Sequence, residues 1–154
     1  LAMAGLPGIY IHSLLGSRSD HAGMAATGRN RSINREKLDA KAVGRALDDP
    51  TTLRRQVFDG IAGLLRARAS EPALHPDAAQ RVVDTEQSLF VIERCSGDGR
   101  RLVAAINVTG ISQCLTLAAP DGWQDIVAGE MVPGPNIDLP GFAVRWLIDR
   151  STAQ

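Results

Sequence analysis

The chain of 154 residues is poor in thiols, in aromatic rings and in net charge. Cys95 and Cys114 are its only cysteines. No histidine pattern accompanies them, which excludes a structural zinc site of the cysteine–histidine kind. Lysine plus arginine and aspartate plus glutamate balance at 17 each, so no overall field draws the chain to nucleic acid or to an anionic membrane. Aromatics make up 4%, and none interleaves with the arginine cluster described below, as a stacking surface for single-stranded nucleic acid would require. No apolar run reaches the roughly 18 residues that span a bilayer. No basic-then-apolar leader is visible, although the chain opens on Leu1 in mid-pattern, as a piece of a longer protein would. What is there is an apolar fraction of 44%, enough for the packed core of one domain, or of one domain with an appendage.

The most distinctive stretch is Gly28 to Arg35, G-R-N-R-S-I-N-R, with three arginines and two asparagines in eight residues. Guanidinium groups offer five donors in a planar fork, suited to phosphate, carboxylate or paired sugar hydroxyls; the plain alternative is that Arg29 and Arg31 are solvated or bridge to Asp20 and Glu36. Upstream, Leu1 to Ala4 reads as a last helical turn ended by Gly5. Gly8-Ile9-Tyr10-Ile11-His12 is a short continuous apolar run, which predicts a strand buried on both faces as in a parallel sheet. Residues 16 to 35 then read as a long loop. Downstream, Leu38, Val43 and Leu47 with Ala42 and Ala46 mark a weak helical stripe. Asp48-Asp49-Pro50 reads as a helix restart with an Asp cap and Pro in the first turn. Leu53, Val57, Ile61, Leu64 and Leu65 form one face of that helix, with Arg54, Arg55, Asp59, Arg66 and Arg68 on its solvated side, up to Pro72.

After Pro76 the period changes. Strands are expected at Arg81 to Asp84, Ser88 to Arg94 and Arg101 to Val108, the last two joined by the Ser96-Gly97-Asp98-Gly99 turn. Further strands are expected at Gln113 to Leu117, Gly122 to Val127 and Ile137 to Leu139, with a half-buried alternating strand from Phe142 to Ile148. Short strands with Gly/Pro turns predict an antiparallel sandwich or open barrel. In this register Cys95 stands opposite about Arg100 and Cys114 opposite about Ile106, several residues apart at about 3.3 Å each. A disulfide requires Cα atoms within about 7 Å. Two free thiols, packed as small core residues, and a cytoplasmic setting are expected. Asn107-Val108-Thr109 matches a glycosylation sequon, which such a setting leaves unmodified.

This reading leaves one parallel-type strand without a sister. A lone strand cannot satisfy its backbone groups, so its neighbours are expected in an upstream part of the polypeptide. The core Gly5-Leu6-Pro7-Gly8-Ile9-Tyr10 is similar to the last barrel strand of the α-amylase superfamily, glycoside hydrolase family 13, where many members show G-x-P-x-x-Y. Gly16-Ser17-Arg18-Ser19-Asp20 and the Gly28 to Arg35 run resemble its sucrose phosphorylase branch, which carries G-R-[DN]-I-N-R. Here two extra residues precede Ile33-Asn34-Arg35. This longer form looks closest to members acting on glucosylglycerate or similar acidic glucosides.

The resemblance implies an α/β region followed by an all-β one. Residues 1–76 would be the last strand and helices of a (β/α)8 TIM barrel, and residues 77–154 a C-terminal antiparallel β-sandwich domain. It implies retaining transfer of a glucosyl unit to inorganic phosphate, with both catalytic carboxylates in earlier barrel strands, so that no catalytic residue is expected in this chain and the chain alone is expected to be inactive. Arg35, matched to the arginine of the I-N-R motif, is expected to bind the glucosyl unit, with His12, Arg18, Asp20 and Arg31 on the acceptor side. Its partners would be a sugar substrate, phosphate and the missing N-terminal part of the barrel, with no cofactor, metal, nucleic acid or membrane. Two alternatives stay open: an α-glucosidase or transglucosidase of the same family, and a free-standing carbohydrate-binding β-module in which Trp123 would stack on sugar.

Overall fold

Asp20, Gly23 and Gly28 decide the local structure of the region expected to be a long loop. The computed structural model describes residues 1–118 and 121–152, and in it the Asp20 carboxylate accepts from the Gly23 N–H at 2.7 Å, capping a short helix. Earlier in the chain, α1 is a single turn, Ile11–Leu14. The capped helix is α2, His21–Thr27, ended by Gly28 in the left-handed region at φ 63, a conformation that favours glycine. A side chain at Gly23 would put its Cβ 2.0 Å from Asp20 Oδ2, so the cap requires glycine there. A 3-10 turn follows at Asn30–Asn34. Helix α3 spans Ala40–Asp48 with Asp39 accepting from Ala42 N–H, and α4 spans Leu53–Ser70.

Several expectations are corrected here. The Gly8–His12 strand does not form. Tyr10 is extended, but no described strand lies beside it, and the Tyr10 and Ile11 carbonyls instead accept from Leu14 and Leu15 within one helical turn. Residues 1–4 are not helical, although Gly5 does take a positive φ of 88. Helix α4 starts after Thr52, whose hydroxyl accepts from Arg55 N–H at 3.2 Å; the Asp49 carboxylate is taken by Thr51. Arg54 and Arg68 do not sit on a solvated face. Arg54 donates to Leu15 O at 3.1 Å, and Arg68 is buried and donates to the carbonyls of Leu1, Met3 and Gly5.

The chain divides into two compact units, Pro7–Gly63 and a second made of Leu1–Leu6 with Leu64–Gln154. This division into compact units falls within α4. In the first unit Leu15 is the only buried residue. The other buried apolar residues all belong to the second.

Among its described residues the second unit contains eight strands: β1 (Ala79–Val83), β2 (Leu89–Cys95), β3 (Arg101–Asn107), β4 (Gln113–Thr116), β5 (Trp123–Asp125), β6 (Glu130–Val132), β7 (Asn136–Leu139) and β8 (Val144–Asp149). Six make an antiparallel sheet in the order β1-β2-β3-β8-β5-β6, and β4 pairs with β7 in a second, two-stranded sheet. Alternation sends Val91, Val103, Ala105, Trp123 and Leu147 to one face, against Leu115, Leu117, Ile137 and Leu139 of the small sheet. It sends Ile92, Leu102, Ala104, Trp146 and Ile148 to the other, against Ala2, Ala73 and Leu74. Strand β8 is therefore buried on both faces and not on one, because each face of the large sheet has its own cover. Phe142 does not open that strand. It sits in a turn at φ 59 and is 71% exposed.

The pairing of β4 with β7 also changes the cysteine geometry. Cys95 faces Arg101, one residue from the expected register, and Cys114 faces Asp138 rather than Ile106. Both thiols are free; Cys95 is half-buried and Cys114 exposed, so neither is a buried core residue. Trp123 is fully buried beneath the Arg101 guanidinium, 5.1 Å from its ring centroid, so it offers no surface to a sugar and the reading as a Trp123-based binding module falls.

Two side chains hold irregular backbone in this unit. Arg94, fully buried, donates to Ala2 O (2.8 Å), His75 O (2.6 Å) and Ala78 O (3.2 Å). Burial, and then the charge of Arg68, push its pKa below the ordinary value. Asn107 is 1% exposed, and its amide donates to Ile111 O, Leu139 O and Pro140 O at 2.7, 2.9 and 3.0 Å. The sequon asparagine is thus a buried structural donor. Asn107→Ala leaves those carbonyls unpartnered and is expected to destabilise the chain by about 2–3 kcal/mol. Urea unfolding should show a lower midpoint at unchanged slope, and Asn107→Asp, which keeps the acceptor and loses the donor, should match it.

Glu93 accepts from Arg101 at 2.8 Å and Arg81 at 3.2 Å. Burial works to raise its pKa, but the two arginines outweigh burial and hold it below the ordinary 4.5. The folded group is then the stronger acid, so its stabilisation is complete above that value and is lost as pH falls through the folded pKa. Glu93→Gln should flatten the loss of stability below about pH 4.5; an unchanged acid-unfolding profile would contradict this.

Candidate functional site: two arginine-lined clefts

The 3-10 turn at Asn30–Asn34 and helix α1 bring the candidate residues together within the first unit. Three successive carbonyls at the end of that turn each have a donor. Ser32 O accepts from Arg35 N–H at 3.0 Å and Ile33 O from Asp20 N–H at 2.7 Å, while Asn34 O accepts from the Tyr10 hydroxyl at 2.6 Å. The Thr27 hydroxyl donates to Gly23 O and lies 2.8 Å from Ser32 Oγ, tying the end of α2 to the turn.

Two clefts flank the Tyr10–Asn34 bridge. One, of about 240 Å³, is lined by His12, Ser13, Ser17, Arg18, Ser19 and Glu36, with Ile33 between them. The other, of about 590 Å³ and wide open, is lined by Arg31 and Arg35. Tyr10 and Asn34 line both. The Tyr10 and His12 rings stand 5.2 Å apart at 53°. Of the five residues expected from sequence, His12 and Arg18 meet in the first cleft and Arg31 and Arg35 in the second. Asp20 lines neither; its carboxylate is occupied as the α2 cap.

The arginines sort into two groups. Arg68 and Arg94 bind backbone carbonyls. Arg100 pairs with Glu71, Arg101 with Glu93 and Asp149, and Arg145 with Asp125 and Glu130. By contrast, among the described residues no ion pair or side-chain hydrogen bond engages the guanidinium of Arg18, Arg29, Arg31 or Arg35, nor those of the exposed helix residues Arg45 and Arg66; of these six, Arg18, Arg31 and Arg35 line a cleft. The bridges from Arg29 and Arg31 to Asp20 or Glu36 considered above are not made. Free guanidiniums on a cleft wall can bind an anion or several hydroxyls at once. Glu36 is the one carboxylate of the first cleft, and the second has none. No cluster of three or more potential ligands for a metal ion occurs among the described residues, and none of their helices is long and apolar enough to cross a membrane.

Sequence reasoning missed Tyr10, Asn34, Ser17 and Arg54. Tyr10 ends the G-L-P-G-I-Y core, so its position was visible, but a strand residue gives no hint that its hydroxyl reaches residue 34. Arg54 donates to Leu15 O and, at 3.3 Å, to Ser17 Oγ, a long-range tie that helical spacing does not reveal.

No family model matches the chain. Curated relatives do. The chain is 36% identical to glucosylglycerate phosphorylase from Spirochaeta thermophila, over 96% of this chain and 28% of that protein. It is 35% identical to glucosylglycerate phosphorylase from Escherichia coli, over 96% of this chain and 26% of that one. The chain thus spans about a quarter of the length of the relatives it matches. Its fold is shared with parts of larger solved enzymes. One is the α-glucosyl transfer enzyme XgtA, with 24% identity, TM-score 0.57, 74% of this chain and 22% of that one. Another is AmyP in complex with maltose, with 15% identity, TM-score 0.57, 75% of this chain and 28% of that one. A third is the trehalulose synthase MutB from Pseudomonas mesoacidophila, with 17% identity, TM-score 0.55, 85% of this chain and 24% of that one. Along 96% of its length the chain is similar in sequence to a part of the glucosylglycerate phosphorylases, and its fold is that of a part of larger sugar-converting enzymes.

Proposed function

We propose that this chain supplies one wall of the sugar site in an enzyme that moves a glucosyl unit from an α-glucoside, glucosylglycerate or a close analogue, to phosphate. The observation that carries the reading is the pair of unengaged guanidiniums, Arg31 and Arg35, on one cleft of a chain 36% identical to a glucosylglycerate phosphorylase. In this reading residues 1–76 belong to the end of a (β/α)8 barrel, residues 77–154 to the β-domain that follows it, and the rest of the barrel to sequence outside this chain. The near absence of a core in residues 7–63 supports that view, since such a segment requires neighbours to bury its apolar side chains. Two free thiols suit a reducing, cytoplasmic setting.

The reaction is a retaining double displacement. One carboxylate attacks the anomeric carbon while another protonates the leaving oxygen, the two standing about 5–5.5 Å apart; both come from outside this chain. Phosphate then takes the glucosyl unit from the covalent intermediate. Arg35 donates to the hydroxyls of the glucosyl unit, and its bonds strengthen as charge develops at the reacting centre. Arg31, Arg18 and His12 face the acceptor side, where phosphate and the acidic leaving group carry negative charge. Asp20 serves this wall from outside it, by capping α2.

In the complete enzyme, Arg35→Ala is expected to lower kcat/KM by roughly 10²-fold; near-normal kinetics would remove Arg35 from the site. Release of glucose 1-phosphate should depend on inorganic phosphate. Sugar release at full rate without phosphate would assign the enzyme to hydrolysis or transglucosylation instead.

A further inference from the structure

We infer that Tyr10 is a positioning residue for Arg35, acting through the peptide group that joins Asn34 to Arg35. The inference rests on the reading of Arg35 given above. A peptide unit is planar, so its carbonyl oxygen and its N–H move as one body. In the Asn34–Arg35 unit both ends are held: the Tyr10 hydroxyl donates to Asn34 O at 2.6 Å, and the Arg35 N–H donates to Ser32 O at 3.0 Å. With both ends held, the plane cannot rock, and the N–Cα bond that carries the Arg35 side chain is fixed in position and direction. Nothing else among the described residues aims that side chain, since its guanidinium engages no protein partner. Arg35 also lies just past the 3-10 turn, with φ −135, where no helical ladder would restore the plane if one anchor were lost. Tyr10 is half exposed and lines both clefts, so removing its hydroxyl opens no core cavity.

The experiment is a kinetic cycle in the complete enzyme with Tyr10→Phe, Arg35→Ala and the double variant, assayed by phosphorolysis of glucosylglycerate. Tyr10→Phe keeps the ring and loses the donor. It is expected to lower kcat about tenfold with little change in KM, as a small misplacement of a charge-bearing group does, and to leave the thermal midpoint in place. In the Arg35→Ala background the same change should cost nothing further. An equal loss in both backgrounds would show that Tyr10 acts on substrate by itself and would overturn the inference. Wild-type kinetics in Tyr10→Phe, beside an impaired Arg35→Ala, would overturn it while leaving the Arg35 reading intact. Near-normal kinetics in Arg35→Ala would overturn both.

Discussion

Backbone that leaves a helix or sheet ladder must still find donors for its carbonyls, and in this chain side chains provide them. Arg68 and Arg94 hold residues 1–5 and 75–78. Asn107 joins the connection after β3 to the turn before β8. Arg54 and Arg55 take the Leu15 and Leu47 carbonyls, and Tyr10 takes Asn34. The device is general: a charged or polar donor on a regular element reaches into an irregular one. For Arg94 it is costly, because a fully buried guanidinium with no carboxylate beside it relies on carbonyl dipoles for its solvation. The same bonds connect segments far apart in sequence, such as residues 2 and 94. Among the arginines that the scaffold does not engage, Arg18, Arg31 and Arg35 are set apart by lining a cleft.

The large sheet shows why a two-sided core needs two covers. Strands β3 and β8 lie in its middle and carry apolar side chains on both faces. One face is closed by the small β4–β7 sheet, the other by residues from both ends of a long stretch of sequence, Ala2, Ala73 and Leu74. Residues 1–6 therefore belong to the β-rich unit although they precede all the helices.

Much of this could be read in the residues. The β1 to β5, β7 and β8 regions, α3, and the course of α4 up to Pro72 follow from period, propensity and turn chemistry, whereas the short β6 was not expected. The motif from Gly28 to Arg35 marked the cleft wall, and four of the five expected residues line the clefts. What escaped was non-local. That β4 leaves the main sheet for β7 depends on pairing across a long connection, which alternation along one strand does not encode. Burial of both faces of β8 depends on what covers each face. Asp20 and Gly28 were visible cap signals, yet the small residues between them suggested a loop, and only the Gly23 N–H bond shows the helix. The run at Gly8 to His12 has a strand's composition but no partner strand among the described residues; it stays extended at Tyr10 and enters a helical turn at Ile11.

The placement of the aromatic residues has an optical consequence. Both tryptophans, Trp123 and Trp146, are buried on opposite faces of the same sheet, and residues 7–63 contain none. The sole tyrosine of the chain, Tyr10, stands between the two clefts. Excitation near 295 nm, which selects indole, therefore reports the packing of the β-rich unit, whereas the phenol absorbance of a single residue reports the cleft. The two parts of the chain carry separate intrinsic chromophores, so their unfolding can be followed independently without any added label.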